Sequence, residues 1–249
     1  MRTTICLLFY FICFSIYSQD INLSKRKVTN LIVNEDIDSL EKLINHGLDI
    51  NKQYRRGETL LHIATYQEKV SVVKWLIQKG ADVNIQSNNT FSTPLNISSF
   101  LFYRNDSISE LLIKNGAKSD IYRKISPLQQ TIFDNNEKIL KLLLDYNADV
   151  NAHCEECCNR SAFLFCCYSG NQNLLNILID NNADYTHLDC DGENGLMYAI
   201  EAENIDIVKK LIQLEYDFNQ ADNKGKSILD YALKTKNTVL IEIIEEYIK

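Results

Sequence analysis

The chain has 249 residues, 45% of them hydrophobic, with a formal net charge of −7 and only two prolines. The acidic balance excludes a general affinity for nucleic acid, because a polyanion would meet net repulsion. Nothing in the composition reads as a flexible linker, and the hydrophobic share suits a folded repeat domain.

In chain order, Arg2 precedes an almost unbroken apolar run from Ile5 to Tyr17, followed by Ser18-Gln19-Asp20. A positive start, a short apolar stretch and a polar exit predict a signal peptide over residues 1–18, cleaved near Ser18. The run is too short for a bilayer core of about 30 Å, which takes about 20 residues to cross. The expectation is an exported protein, periplasmic or secreted, monomeric, with no stable membrane insertion after signal removal.

Residues 26–51 form a half unit. Val28, Leu31 and Ile32 give one apolar stripe, Ile37, Leu40, Leu43 and Ile44 a second, and Gly47 ends it. Lys25, Arg26, Lys27, Asn30 and Asn34 supply the polar outer face that the end of a stack requires.

The stretch from Gly57 to Asn84, GETLLHIATYQEKVSVVKWLIQKGADVN, is the unit from which the rest is built. Thr59 is placed to cap a helix beginning at Leu60. After Gln67-Glu68-Lys69, a second helix carries Val72, Val73, Leu76 and Ile77 on one face and stops at Gly80. Two short helices cannot bury both apolar faces alone, so the unit predicts its own repetition. The capping residue recurs at Thr93, Ser126, Ser161, Asn194 and Ser227, at spacings of 34, 33, 35, 33 and 33 residues. The second helices end in Gly80-Ala81, Gly116-Ala117, Asn147-Ala148 and Asn182-Ala183, with Asn standing in where positive φ is needed.

TLLHIA at Thr59–Ala64, TPLNIS at Thr93–Ser98, SPLQQT at Ser126–Thr131, SAFLFC at Ser161–Cys166, NGLMYA at Asn194–Ala199 and SILDYA at Ser227–Ala232 resemble the T-P-L-H-x-A signature of the ankyrin repeat. The resemblance covers roughly residues 26–249. It implies an all-α solenoid of stacked helix-turn-helix units with hairpin tips, at approximately 26–51, 52–84, 85–120, 121–151, 152–186, 187–219 and 220–249. Only His62 keeps the signature histidine, so weaker capping is expected in the other five units. The run Phe100-Leu101-Phe102-Tyr103 is expected to lengthen a turn, and Leu240, Ile243, Ile244 and Tyr247 to form the apolar face of the last helix.

The resemblance further implies a non-enzymatic scaffold that binds a protein through its concave groove and hairpin tips. Seven residues after successive caps lie Tyr66, Phe100, Phe133 and Tyr168, then Glu201 and Lys234. Four aromatics in one register predict a stripe across the groove, as partner-binding anchors or as ordinary inter-unit core. Arg55, Arg56, Tyr122 and Arg123 at the tips extend that candidate surface, and Glu155, Glu156, Asp189, Asp191 and Glu193 make later tips acidic.

Six cysteines fall between residues 154 and 190. Cys166 and Cys167 occupy a small-residue position of a first helix and read as buried hydrophobes. Cys154, Cys157, Cys158 and Cys190 lie in two successive tips, where Cys190 could join one of the other three in an oxidising compartment. Zinc held by Cys154, Cys157, Cys190 and His187, or free thiols, are the other readings, although only one C-x-x-C is present. A redox- or metal-responsive module is therefore the alternative to the scaffold. No phosphate loop, G-x-S-x-G or H-E-x-x-H occurs, and four scattered histidines suggest no catalytic constellation and no cofactor.

Overall fold

The computed structural model describes residues 24–248 except Asn89, 101–104, 122–124, 155–156 and Glu215. The signal-peptide expectation, the Leu101–Tyr103 part of the apolar run, and Glu155 and Glu156 lie outside the described residues.

The described chain forms seven antiparallel helix pairs. They are α1 (Lys25–Val33) with α2 (Ile37–Asn45), α3 (Leu60–Tyr66) with α4 (Val70–Gln78), α5 (Pro94–Ser99) with α6 (Asp106–Lys114) and α7 (Pro127–Phe133) with α8 (Glu137–Asp145). Then follow α9 (Ala162–Ser169) with α10 (Gln172–Asp180), α11 (Gly195–Glu201) with α12 (Ile205–Ile212), and α13 (Ile228–Thr235) with α14 (Thr238–Ile248). First helices pack on first helices all along the row, so the core is one continuous layer between the two helix ranks. Each unit buries its apolar stripe only because a neighbour covers it. Val72, Val73 and Leu76 are fully buried against this layer, as are Leu174, Leu175 and Leu178 three units later.

Gly80 and Gly116 adopt φ of 88° and 84°, and Asn147 and Asn182 both adopt 62°, so the helix stops use left-handed residues as expected. At the first helices, every cap from Thr59 to Ser227 accepts a backbone N–H three residues on. The expectation of weak capping outside His62 is corrected in three units. Asn96, Gln129 and Asp230 each return a side-chain bond to the cap's backbone, as His62 does. An amide or carboxylate oxygen accepts that N–H as well as an imidazole nitrogen does. Leu164 and Met197 cannot, and there only half the box remains.

A two-stranded hairpin, β1 (His153–Cys154) and β2 (Arg160–Ser161), pairs His153 with Ser161 and Cys154 with Arg160 at one tip. At the carboxyl end, Leu240 and Ile244 are buried, and Tyr247, 54% exposed, stacks on Phe218 at 6.0 Å. No helix among the described residues is long and apolar enough to cross a membrane.

Candidate functional site: aromatic stripe and hairpin tips

The first helices present two rows toward one side of the stack. Four residues after the caps lie Ile63, Ile97, Gln130, Tyr198 and Tyr231, all buried, with Phe165 half-buried between them. Three residues farther on, close to one helical turn, lie Tyr66, Phe133 and Tyr168, while Phe100, in the same register, falls just past the end of α5 in extended backbone. Tyr66 is half-buried, whereas Phe100, Phe133 and Tyr168 are 48%, 51% and 55% exposed. Two of the exposed rings are held from beneath by the next unit. Phe133 meets Phe165 at 4.7 Å between centroids, and Tyr168 meets Tyr198 edge-on at 6.4 Å. The row ends in an ion pair, Lys234 Nζ to Glu201 Oε1 at 2.7 Å.

Beneath Tyr168, the burial of Tyr198 is supported polarly. Tyr198 donates its hydroxyl to Asp189 Oδ2 at 2.8 Å, and the Arg160 guanidinium lies 5.5 Å over its ring. Burial, then the Asp189 bond, push the Tyr198 phenol well above its ordinary value. Asp189 Oδ1 also accepts the amides of Asp191 and Glu193, each at 2.9 Å. Tyr231 repeats the arrangement one unit on, bonded to Asp222 and Glu193. Asp189 and Glu193 are therefore structural, and the reading of these tip acids as partner-facing charge is corrected for both. Arg55 and Arg56 are exposed at their tip, where Arg56 O accepts Asn88 N at 2.8 Å; Tyr122 and Arg123 lie outside the described residues.

The cysteines resolve into two disulfides, Cys154–Cys157 within one tip and Cys158–Cys190 between two, with Cα separations of 5.0 and 4.9 Å. The tip backbones bring the second pair together, since Cys190 N donates to Cys158 O at 2.9 Å. This corrects the zinc quartet. Bonded sulfurs do not ligate, and His187 faces elsewhere, with Nε2 on Asn159 O at 2.6 Å and its ring stacked on His153 at 5.5 Å. Cys166 and Cys167 are free and buried. Burial lifts the Cys166 thiol to about 12 and Cys167 well above its ordinary range, so neither is a reactive thiolate.

An open cavity of about 450 Å³ lies along the tip-side loops, lined by Asp120, Asp149, Asp184, His153 and His187 among others. Two of its carboxylates brace their own turns. Asp149 Oδ1 accepts Asn151 N, and Asp184 Oδ1 accepts the Thr186 amide and hydroxyl, the hydroxyl bond chiefly lowering the Asp184 pKa. These turns form part of a ladder that sequence reasoning missed. Asn51, Asn84 and Asn151 each accept, through Oδ1, the amide of Asp82, Lys118 or Asp184 in the following unit. The signal was present, as an Asn two residues after the Asp in Gly47–Asn51, Gly80–Asn84 and Asn147–Asn151.

Comparison with known proteins places the chain against the family described as ankyrin repeats (3 copies), with matches over residues 30–124, 102–189 and 163–248. It is similar to I-Kappa-B like protein C2 of Microplitis demolitor bracovirus, 37% identical over 103 residues, covering 39% of this chain and 55% of that protein. It is also similar to ankyrin repeat protein 14 of Vaccinia virus, 52% identical over 44 residues, covering 18% of this chain and 19% of that protein. The chain thus matches about half or less of the length of these curated relatives. Among solved structures, the ankyrin repeat domain of Bcl-3 superposes with a TM-score of 0.76 at 17% identity, over 91% of this chain and all of that one, a likeness of fold alone.

Proposed function

We propose, from the premise that this chain belongs to the ankyrin-repeat family, that it is a non-enzymatic scaffold binding a protein partner through its aromatic stripe and hairpin tips. The observation that carries the reading is the half-exposure of Phe133 and Tyr168 above a buried row. Each ring is anchored by an aromatic neighbour, so it keeps a defined orientation while offering apolar area to a partner. Such area is costly to leave wet and is enriched at interface centres. The relative named I-Kappa-B like supports a binding role without identifying the partner.

The partner surface extends to exposed Arg55 and Arg56, which suit an acidic neighbour at the amino-terminal end. Export through residues 1–18 belongs to the same proposal and is supported by the paired tip cysteines, which persist in an oxidising compartment. The net charge of −7 supports a protein rather than a nucleic-acid partner.

The test is capture of a partner from extracellular or periplasmic extract by the wild-type protein and by a Phe133→Ala/Tyr168→Ala variant. Both substituted side chains are half exposed, so the variant should retain its helical circular dichroism and melt within a few degrees of wild type. A protein captured by wild type and released by the folded variant supports the stripe. Equal capture by both would sink it.

A further inference from the structure

We propose that the Cys158–Cys190 disulfide is a latch on the hairpin tips, opened selectively by an external dithiol while Cys154–Cys157 stays closed and the helices stay stacked. The inference does not rest on the groove reading.

The two bridges differ in access. Cys190 is exposed and Cys158 half-buried, whereas Cys154 is 1% exposed behind a half-buried Cys157. Thiol–disulfide exchange needs a thiolate to reach one sulfur of the bridge, and Cys190 offers that approach. They also differ in what they hold. Cys154–Cys157 closes a turn three residues apart inside one tip, whereas Cys158–Cys190 spans 32 residues and ties consecutive units. Only the second, once open, alters how two units are joined.

The non-covalent contacts at this junction fall into two layers. At the tip, among the described residues, lie the Cys190 N to Cys158 O bond, the His187 Nε2 to Asn159 O bond, the His153–His187 ring stack and the Cys158 Sγ–Asp191 Oδ2 contact. The side-chain bridge that His62 extends to Ser92 O in another unit is missing here, because Leu164 takes its place. Below the tip, Arg160 faces Asp189 at 3.8 Å and covers Tyr198, and Asn204 Nδ2 donates to Cys167 O and Tyr168 O at 3.1 and 2.8 Å. Phe163, Leu164 and Leu196 close the core between α9 and α11. The lower layer is independent of the sulfurs, so opening the bridge frees the tips and leaves the stack.

In the opening step a dithiol's thiolate attacks Cys190 Sγ, the Cys158–Cys190 bond breaks, and Cys158 leaves as a thiolate that takes up a proton. The dithiol's second sulfur then attacks the mixed disulfide, releasing Cys190 as a thiol. The dithiol is oxidised to a disulfide and two electrons pass to the protein. Cys158 Sγ lies 3.6 Å from Asp191 Oδ2, an acceptor for the proton that the released Cys158 sulfur takes up.

The experiment treats the full chain with graded dithiothreitol, blocks new thiols with iodoacetamide, and maps them by mass spectrometry beside amide exchange and circular dichroism. The expected result is blocking of Cys158 and Cys190 at least tenfold before Cys154 and Cys157, faster exchange at the Cys190 amide, and unchanged helical signal. A Cys190→Ser variant, which carries no latch, should show the same fast exchange without reductant. Simultaneous reduction of both bridges, earlier reduction of Cys154–Cys157, or loss of helical signal as the first bridge opens would overturn the proposal. If Cys190→Ser does not fold, the bridge is a structural staple and the proposal fails likewise.

Discussion

Gln129 donates its side-chain amide to the carbonyl of Arg160, Nε2 to O at 2.6 Å, crossing from the first helix of one unit to the tip of the next. His62 makes the same crossing to Ser92 O at 3.0 Å. Asn96, one methylene shorter than glutamine, keeps the local cap, but its buried Nδ2 has no partner among the described residues. Length therefore decides whether a polar residue at this position caps only its own helix or also ties two units.

Gln129→Ala removes both roles and strands a carbonyl at the tip. The expected cost is about 1–3 kcal/mol, read by urea denaturation, and Gln129→Leu should not recover it. Gln129→His, which restores an acceptor and a donor in the His62 arrangement, should recover most of it.

His62 makes stability pH-dependent. Its Nδ1 accepts the Thr59 amide at 3.2 Å, which leaves the ring proton on Nε2 to donate to Ser92 O. Burial lowers the His62 pKa below the ordinary 6.5, the bond to Ser92 O opposing this in part. The unfolded state then binds more protons than the folded one, so stability is full above about 6.5 and falls as pH drops below it. Thermal melts between pH 7.5 and 5 should show this decline, and His62→Gln should flatten it. Glu110, whose carboxyl is held to about 2 by its bonds to Lys114 and Lys138, loses its contribution as pH falls from the ordinary 4.5 toward 2, below that window.

Gly195 opens α11 where other units carry Leu, Pro, Ala or Ile. A methyl there would lie 2.7 Å from Phe163 Cε1 and 2.9 Å from both Cys167 Sγ and the Tyr216 hydroxyl. Gly195→Ala should therefore destabilise by about 1–3 kcal/mol through overpacking, despite the better helix propensity of alanine. Adding Phe163→Leu should return part of the loss in chemical denaturation, an outcome that additive effects would not produce.

Asn84 accepts the Lys118 amide at 2.8 Å and donates to Gly116 O at 3.0 Å. Asn84→Ala should cost about 1 kcal/mol, moderated by exposure of the freed groups to water. Amide exchange at Lys118 should rise while exchange at Leu61 and Val73 in the unit before stays slow. Uniform acceleration along the chain would contradict the nearest-neighbour character assigned to the ladder.

Periodicity alone determined the repeat. Caps at Thr59 through Ser227, apolar stripes such as Val72–Leu76, and Gly or Asn stops fix local conformation, and local conformation is written in neighbouring residues. Even the aromatic register at Tyr66, Phe100, Phe133 and Tyr168 was legible, because a helical row repeats with the unit. What the tertiary structure decided depends mostly on groups about 30 or more residues apart. It paired Cys190 with Cys158 rather than Cys154 or Cys157, since one tip backbone lies against the next. It turned Asp189 and Glu193 inward onto Tyr198 and Tyr231, left Phe133 and Tyr168 half exposed above their neighbours, and let Gln129 serve where histidine was expected. Sequence spacing places residues on a face, but only the packed neighbour decides which of them meets water and which meets a partner.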